Sequence, residues 1–122
     1  MWSIKIVPLR SPVAGQTAEF VPDFPGAKPG DPLEVSSGDG VSWNNESEQV
    51  HQPWPTDAAG NVLSDPPIGP RLTPNYLSDP VEAQTSSRPQ WNATSSPATQ
   101  NTIFYRCRVF GHENETGKII IK

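Results

Sequence analysis

The chain of 122 residues holds one cysteine, Cys107, and two histidines, His51 and His112. Cys107 and His112 stand five positions apart in CRVFGH, and His51 follows Trp43 by eight. A soft thiolate with two imidazoles forms a trigonal donor set that suits copper, the metal that also heads the Irving–Williams order. Cu(I) is held well by the thiolate and Cu(II) by the imidazoles, so a constrained geometry between the two preferences lowers the reorganisation that accompanies electron transfer. Taken singly, each residue has a plainer reading: a lone strand cysteine is often a small buried apolar side chain, and a loop histidine is often just solvated. The chemical reading gains weight because all three lie at the ends of the most regular strands in the sequence.

Those strands must position the donors. Over residues 2 to 7 apolar and polar side chains alternate, with Trp2, Ile4 and Ile6 on one face, the period of a half-buried strand. Residues 8 to 32, rich in proline and glycine, read as an irregular connection. In LEVSSGDGVSWNN, Leu33 and Val35 form a short strand, Ser37 to Gly40 a tight hairpin turn, and Val41 and Trp43 one face of the next strand. In TIFYRCRV the alternation puts Ile103, Tyr105, Cys107 and Val109 on one face, so the thiol points inward at a strand end. Gly111 lets the following loop turn back so that His112 reaches the same point. Ile119 to Ile121 close the chain as a β-branched strand. Residues 52 to 101 contain nine prolines and few aliphatic side chains. They read as a loop-rich insertion with short edge strands near 61–63 and 71–76, pinned by Trp54, Tyr76, Trp91 and several leucines.

Composition narrows the class. Proline (15) and glycine (9) make up about a fifth of the chain, too many for long helices, and only 34% of residues are hydrophobic. The expectation is an all-β, antiparallel sandwich in one domain spanning 1–122. The net charge of −4, with no basic run, argues against nucleic-acid binding. No apolar stretch is long enough to form a transmembrane segment. The opening MWSIKIVPLR reads as a strand, not as a charged segment followed by an apolar one. A single cysteine excludes an intramolecular disulfide. Glu46 and Glu48 lie near His51, but solvated loop acids are the simpler account of them. Asn45, Asn92 and Asn114 begin Asn-x-Ser/Thr triplets, which arise readily by chance in such a chain. Trp54 and Phe110 could cap the metal edge with apolar surface, or simply pack.

Two segments carry a resemblance. LEVSSGDGVSWNNESEQVH resembles the cupredoxin pattern of an apolar strand, Gly-Asp, Val-x-Trp-x-Asn and a ligand histidine. FYRCRVFGHENETGKIIIK is similar to the C-terminal part of that family: Tyr-x-Cys, a short loop, His, then Gly-Lys and a β-branched strand. The gap between Cys107 and His112 looks most like the azurin type of loop, within the azurin and plastocyanin group of blue copper proteins. The resemblance implies a Greek-key β-sandwich holding one copper ion on His51, Cys107 and His112. It implies a non-enzymatic protein for one-electron transfer, a redox partner protein and an extracytoplasmic (periplasmic or secreted) setting. The only methionine is Met1, so the family's axial thioether is absent from the ligand loop. Counting back from Gly117 puts Glu115 at that position, with Thr116 as the second possibility and solvent exposure of Glu115 as the plain alternative. A carboxylate there would be a hard anionic donor that favours Cu(II). Gln52 stands where many members have an asparagine that braces the cysteine loop. Two other functions stay open at this level: an open copper site for storage, delivery or small-molecule chemistry, and a metal-free binding module working through the insertion, with Cys107 buried apart from both histidines.

Overall fold

The structure, a computed structural model, describes residues 2–63, 76–88 and 90–122. Eight strands are present in them: β1 (Trp2–Val13), β2 (Gln16–Pro22), β3 (Leu33–Val35), β4 (Gly40–Asn45), β5 (Pro53–Thr56), β6 (Trp91–Asn92), β7 (Thr102–Cys107) and β8 (Thr116–Ile121). They form two four-stranded sheets, ordered β2-β1-β4-β6 and β3-β8-β7-β5. The alternation in the sequence predicts which side chains lie between the sheets. Ile4, Ile6, Val41 and Trp43 from the first sheet pack with Leu33, Ile103, Tyr105 and Ile119 from the second in one buried cluster. Tyr105 meets the edges of Phe20 and Trp43, with ring centroids 5.0 and 5.6 Å apart, a favoured aromatic geometry.

The architecture is the all-β sandwich expected, and three of its details differ from the sequence reading. The sheets are mixed, because β1 runs parallel to β4 and β3 parallel to β8. The segment 33–45 is not a hairpin: β3 and β4 belong to opposite sheets, and the turn at Gly38 (φ +89°) carries the chain across the sandwich. Residues 8 to 32 are not wholly irregular, since β1 continues to Val13 and β2 occupies Gln16–Pro22. Pro8 and Pro12 masked the extension of β1, whose outer half is largely exposed and so loses its alternation. The buried Ala18 and Phe20 of β2 did alternate with polar neighbours, but over too short a run to stand out. Trp2 stays at the rim, its indole N–H donating to Asp39 Oδ2 at 3.0 Å.

Within the insertion, β5 forms an edge strand, where Pro53 and Pro55 are tolerated. Trp54, Tyr76, Leu77, Val81 and Trp91 are buried, so the segment is pinned to the body as expected. Val62 makes a bridge to Thr56, and residues 71–75 of the second expected edge strand lie outside the described residues.

The register brings the chemistry-bearing residues to one end of the sandwich. Cys107, the last residue of β7, pairs with Pro53, so His51 arrives alongside it just before β5. A two-way backbone bridge to Val81 fixes His51 in place (N–H to O, 3.1 and 2.7 Å). Arg106 pairs with Thr116, which puts Glu115 at the entry to β8, and its carbonyl accepts from Cys107 N–H at 2.8 Å. The opposed pair Tyr105 and Gly117 yields a test of this register. A Cβ on Gly117 would lie 2.3 Å from the buried Tyr105 ring. Gly117→Ala should therefore destabilise the fold by about 1–3 kcal/mol through overpacking, read as a lower denaturation midpoint; an unchanged midpoint would contradict the β7–β8 pairing.

Candidate metal centre

The turn from Cys107 to Glu115 is closed by two local bonds, His112 N–H to Val109 O and Glu115 N–H to His112 O, both 3.0 Å. Gly111 takes the left-handed backbone (φ +85°) that this reversal needs. The result carries His112 and Glu115 back over Cys107. His51 Nδ1 lies 3.7 Å and His112 Nδ1 3.5 Å from Cys107 Sγ. Glu115 Oε1 lies 2.8 Å from His51 Nδ1 and 3.4 Å from His112 Nδ1. One donor atom from each of the four residues falls within 4.8 Å of all the others, and all four side chains are buried.

The outer atoms of both imidazoles decide which nitrogen faces inward. Asn45 Nδ2 donates to the carbonyls of Gln49 and Val81, so its Oδ1 is an acceptor. The Ser47 hydroxyl donates to that oxygen at 2.7 Å and must then accept from His51 Nε2 at 2.9 Å. On the other ring, His112 Nε2 lies 3.1 Å from Gln49 Oε1 and 3.5 Å from Thr17 Oγ1. Thr17 Oγ1 already donates to Glu115 Oε2 at 3.0 Å, so it too can only accept from the imidazole. With Nε2 protonated on both rings, the neutral imidazoles turn their Nδ1 lone pairs toward Sγ and Oε1. A lone pair facing a carboxylate oxygen at 2.8 Å is attractive only with a cation between them, a proton or a metal ion.

The electrostatics agree with this. Burial raises the Glu115 carboxyl, but a proton held between Oε1 and His51 Nδ1, the hydrogen bond from Thr17 N–H and the positive charge either imidazole gains on protonation outweigh it and hold the group below its usual range. His112 is held below its ordinary value, chiefly by burial, with Glu115 pulling the other way. Burial pushes the Cys107 thiol up to about 11, against the hydrogen bonds to Sγ from Gln52 and Val109. Gln52 braces this strand by its backbone: its N–H points at Sγ (3.4 Å), its carbonyl accepts from Arg108 N–H (2.8 Å), and its side chain donates to Ser78 O (3.0 Å).

The structure thus brings His51, Cys107, His112 and Glu115 together. Thr116 is exposed. Glu46 and Glu48 are exposed on the loop before His51 and take no part in the cluster. Trp54 is buried beneath Arg108, whose guanidinium lies 4.4 Å from the ring centre, so it packs; Phe110 is fully exposed beside the turn. The Asn45 triplet is closed to modification by the burial of its amide. Sequence reasoning missed Thr17, Ser47 and Gln49. Only Asn45 left a trace, as the last residue of the Val-x-Trp-x-Asn pattern.

No family profile matches the sequence, and no curated protein does. The structure itself matches that of a purple cupredoxin from Nitrosopumilus maritimus over 98% of each chain, with a TM-score of 0.60 and 18% identity. The fold is that of a cupredoxin. Weaker likenesses extend to a reduced Cu(I) form of an amicyanin variant (TM-score 0.48, 15% identity, 98% of this chain and 82% of the other) and to a multicopper oxidase (TM-score 0.48, 21% identity, 98% and 38%).

In this cupredoxin fold the donor set is two imidazoles and one thiol, types that suit borderline and soft metals, together with one hard carboxylate of the kind that also binds borderline divalent ions. Because the thiol stays protonated up to about pH 11, a metal that takes the thiolate must expel at least that proton. Apparent affinity for a divalent ion should then rise about tenfold per pH unit for each proton released, over roughly pH 6 to 8. Competition with a chelator at several pH values, corrected for the chelator's own protonation, measures this. An affinity independent of pH would exclude Cys107 as a ligand.

Proposed function

We propose that this chain is a mononuclear copper protein for one-electron transfer, with His51, His112 and Cys107 as the principal ligands and Glu115 as the fourth. The observation that carries the reading is the convergence of two Nδ1 atoms, Sγ and Oε1 in one buried cluster. Copper is preferred among the metals such donors accept by its place in the Irving–Williams order and its affinity for thiolate. When bound, it would supply a Cu(II)/Cu(I) couple.

The protein's part is to hold the donors still and keep water out. His51 is bridged to Val81, Cys107 closes β7, and His112 and Glu115 sit in one hydrogen-bonded turn. A donor set fixed in this way changes little between oxidation states. Glu115 takes the fourth direction with a buried carboxylate, which argues against the open site of a copper enzyme or a delivery protein. The groove of about 450 Å³ lined by Asp57, Phe104, Arg106 and Lys118 includes none of the four donors. A metal-free module would keep Cys107 apart from both histidines, and the 3.5 and 3.7 Å separations speak against it. Exposed Phe110 offers apolar surface beside the His112 turn for a redox partner protein. An extracytoplasmic setting rests on the family resemblance alone. No helix among the described residues is long and apolar enough to cross a membrane.

Charge sets the direction of the potential. Thiolate and carboxylate together carry two negative charges, which a dication neutralises and a monocation leaves one short in a buried site. A buried net charge is costly, so Glu115 favours the oxidised state.

Titration of Cu(II) into the metal-free, reduced protein should give an intense thiolate-to-copper band saturating at one equivalent. Cys107→Ser should abolish that band while the far-ultraviolet circular dichroism stays that of a β-sandwich. A band that survives in this variant refutes the assigned thiolate. Glu115→Gln should keep the band, shift it, and raise the reduction potential; a potential equal to or below that of the parent would remove Glu115 from the ligand set.

A further inference from the structure

Glu115 divides its two oxygens between two tasks. Oε1 faces the histidines, while Oε2 accepts three hydrogen bonds from β2 in the opposite sheet: from Thr17 N–H (2.7 Å), Thr17 Oγ1–H (3.0 Å) and Ala18 N–H (3.1 Å). In a regular strand, successive N–H groups point to opposite edges, so two neighbours cannot reach one acceptor. Here they do so where the β1–β2 ladder slips: Pro8 pairs with Ala18, and the next pair is Val13 with Gln16. Residues 9–12 of β1 thus face Thr17 alone, which makes Thr17 the one β2 residue opposite a bulge of β1, a device that re-aims groups beside functional sites.

We infer that Thr17, set opposite this slip in the ladder, is the positioning residue that holds Glu115 as a fixed single-oxygen donor to the metal. The inference rests on the copper site proposed above and adds to it the part of the molecule that governs the fourth ligand. With Oε2 saturated by three donors, the carboxylate cannot swing both oxygens toward the ion or withdraw to solvent, and only Oε1 is left to coordinate. Thr17 touches none of the four donor atoms; its hydrogen bonds reach the outer oxygen Oε2 of Glu115 and the outer nitrogen Nε2 of His112. Its hydroxyl also lies 3.5 Å from His112 Nε2, so one side chain braces the carboxylate and an imidazole together. Its sequence distance of 98 residues from Glu115 makes this a constraint between sheets. Binding of ions at a carboxylate braced in this way commonly depends on the outer partner, at a cost of 10- to 100-fold in affinity when it is removed.

The test compares Thr17→Val, Thr17→Ser and Glu115→Gln in the full chain. Thr17→Val keeps the backbone donors and removes the hydroxyl. It should move the thiolate-to-copper band and the reduction potential part of the way toward those of Glu115→Gln, and weaken Cu(II) binding by about 10-fold or more. Thr17→Ser, which restores the hydroxyl, should return all three toward the parent values. In the metal-free protein, the amide protons of Thr17 and Ala18 should lie downfield, as donors to a carboxylate, and both should move upfield in Glu115→Gln. Parental spectrum and potential in Thr17→Val, with Glu115→Gln clearly shifted, overturns the positioning role and leaves the ligand set intact. A Glu115→Gln protein whose band, potential and amide shifts all match the parent overturns the ligand role and the clamp together. If copper gives no band at all, the copper reading falls, and amide shifts that ignore Glu115→Gln would then overturn the clamp independently.

Discussion

A carboxylate that is fully buried must be given hydrogen bonds or a cation, and in this sandwich Glu115 takes hydrogen bonds on one side and faces two imidazoles, where a cation would sit, on the other. Its Oε2 is saturated by backbone and side-chain donors of β2, while its Oε1 is turned on two imidazole nitrogens. Without the β2 donors the charge would be stranded between the sheets, since a buried ion lacking compensation costs several kcal/mol. The rest of the site depends on this arrangement. It fixes the turn that carries His112, it sets the face of the site that water cannot reach, and it ties the ligand loop of one sheet to an edge strand of the other.

The polar residues around the cluster act by the same logic of directional satisfaction. Asn45 ends β4 and Ser47 and Gln49 follow it on the way to His51; Asn45 and Ser47 together leave His51 Nε2 protonated, and Gln49 Oε1 does the same for His112 Nε2. The fold thereby chooses the tautomers before any ion arrives. A site built in this way is expensive in polar atoms, and it sits against an apolar cluster of Trp43, Tyr105, Phe20 and Ile6 that supplies the stability. The aromatic packing of Tyr105 against Gly117 also keeps β7 and β8 in register, and so keeps Cys107 and Glu115 side by side.

Much of this was legible in the chain. The strands bearing Ile4, Val41, Ile103 and Ile119 announce themselves by alternation, because one face of each is buried and the other is not. The donors stand out because cysteine and histidine are so scarce that their positions at strand ends carry information. Glu115 was reachable only through the family resemblance, by counting back from Gly117, since an acidic residue in a polar turn has no local mark. The parallel pairings, and the crossing of the chain from β3 to β4, left no sign either: the hydrophobic period reports which face is buried and is silent about which neighbour a strand takes. The extension of β1 was hidden by prolines that a half-exposed strand can tolerate.

The sequence by itself determined the scarce thiol and imidazole donors on offer, the inward direction of Cys107 and the all-β class, because each follows from residue type and a period of two along the chain. Tertiary structure decided that Glu115 faces the histidines instead of solvent, that both imidazoles present Nδ1, and that Thr17 shares in the site. Those outcomes rest on contacts across as many as 98 residues of sequence and on a slip in the β1–β2 ladder. Hydrogen-bond geometry of that kind exists only once two sheets have met, and no local pattern of side chains encodes it.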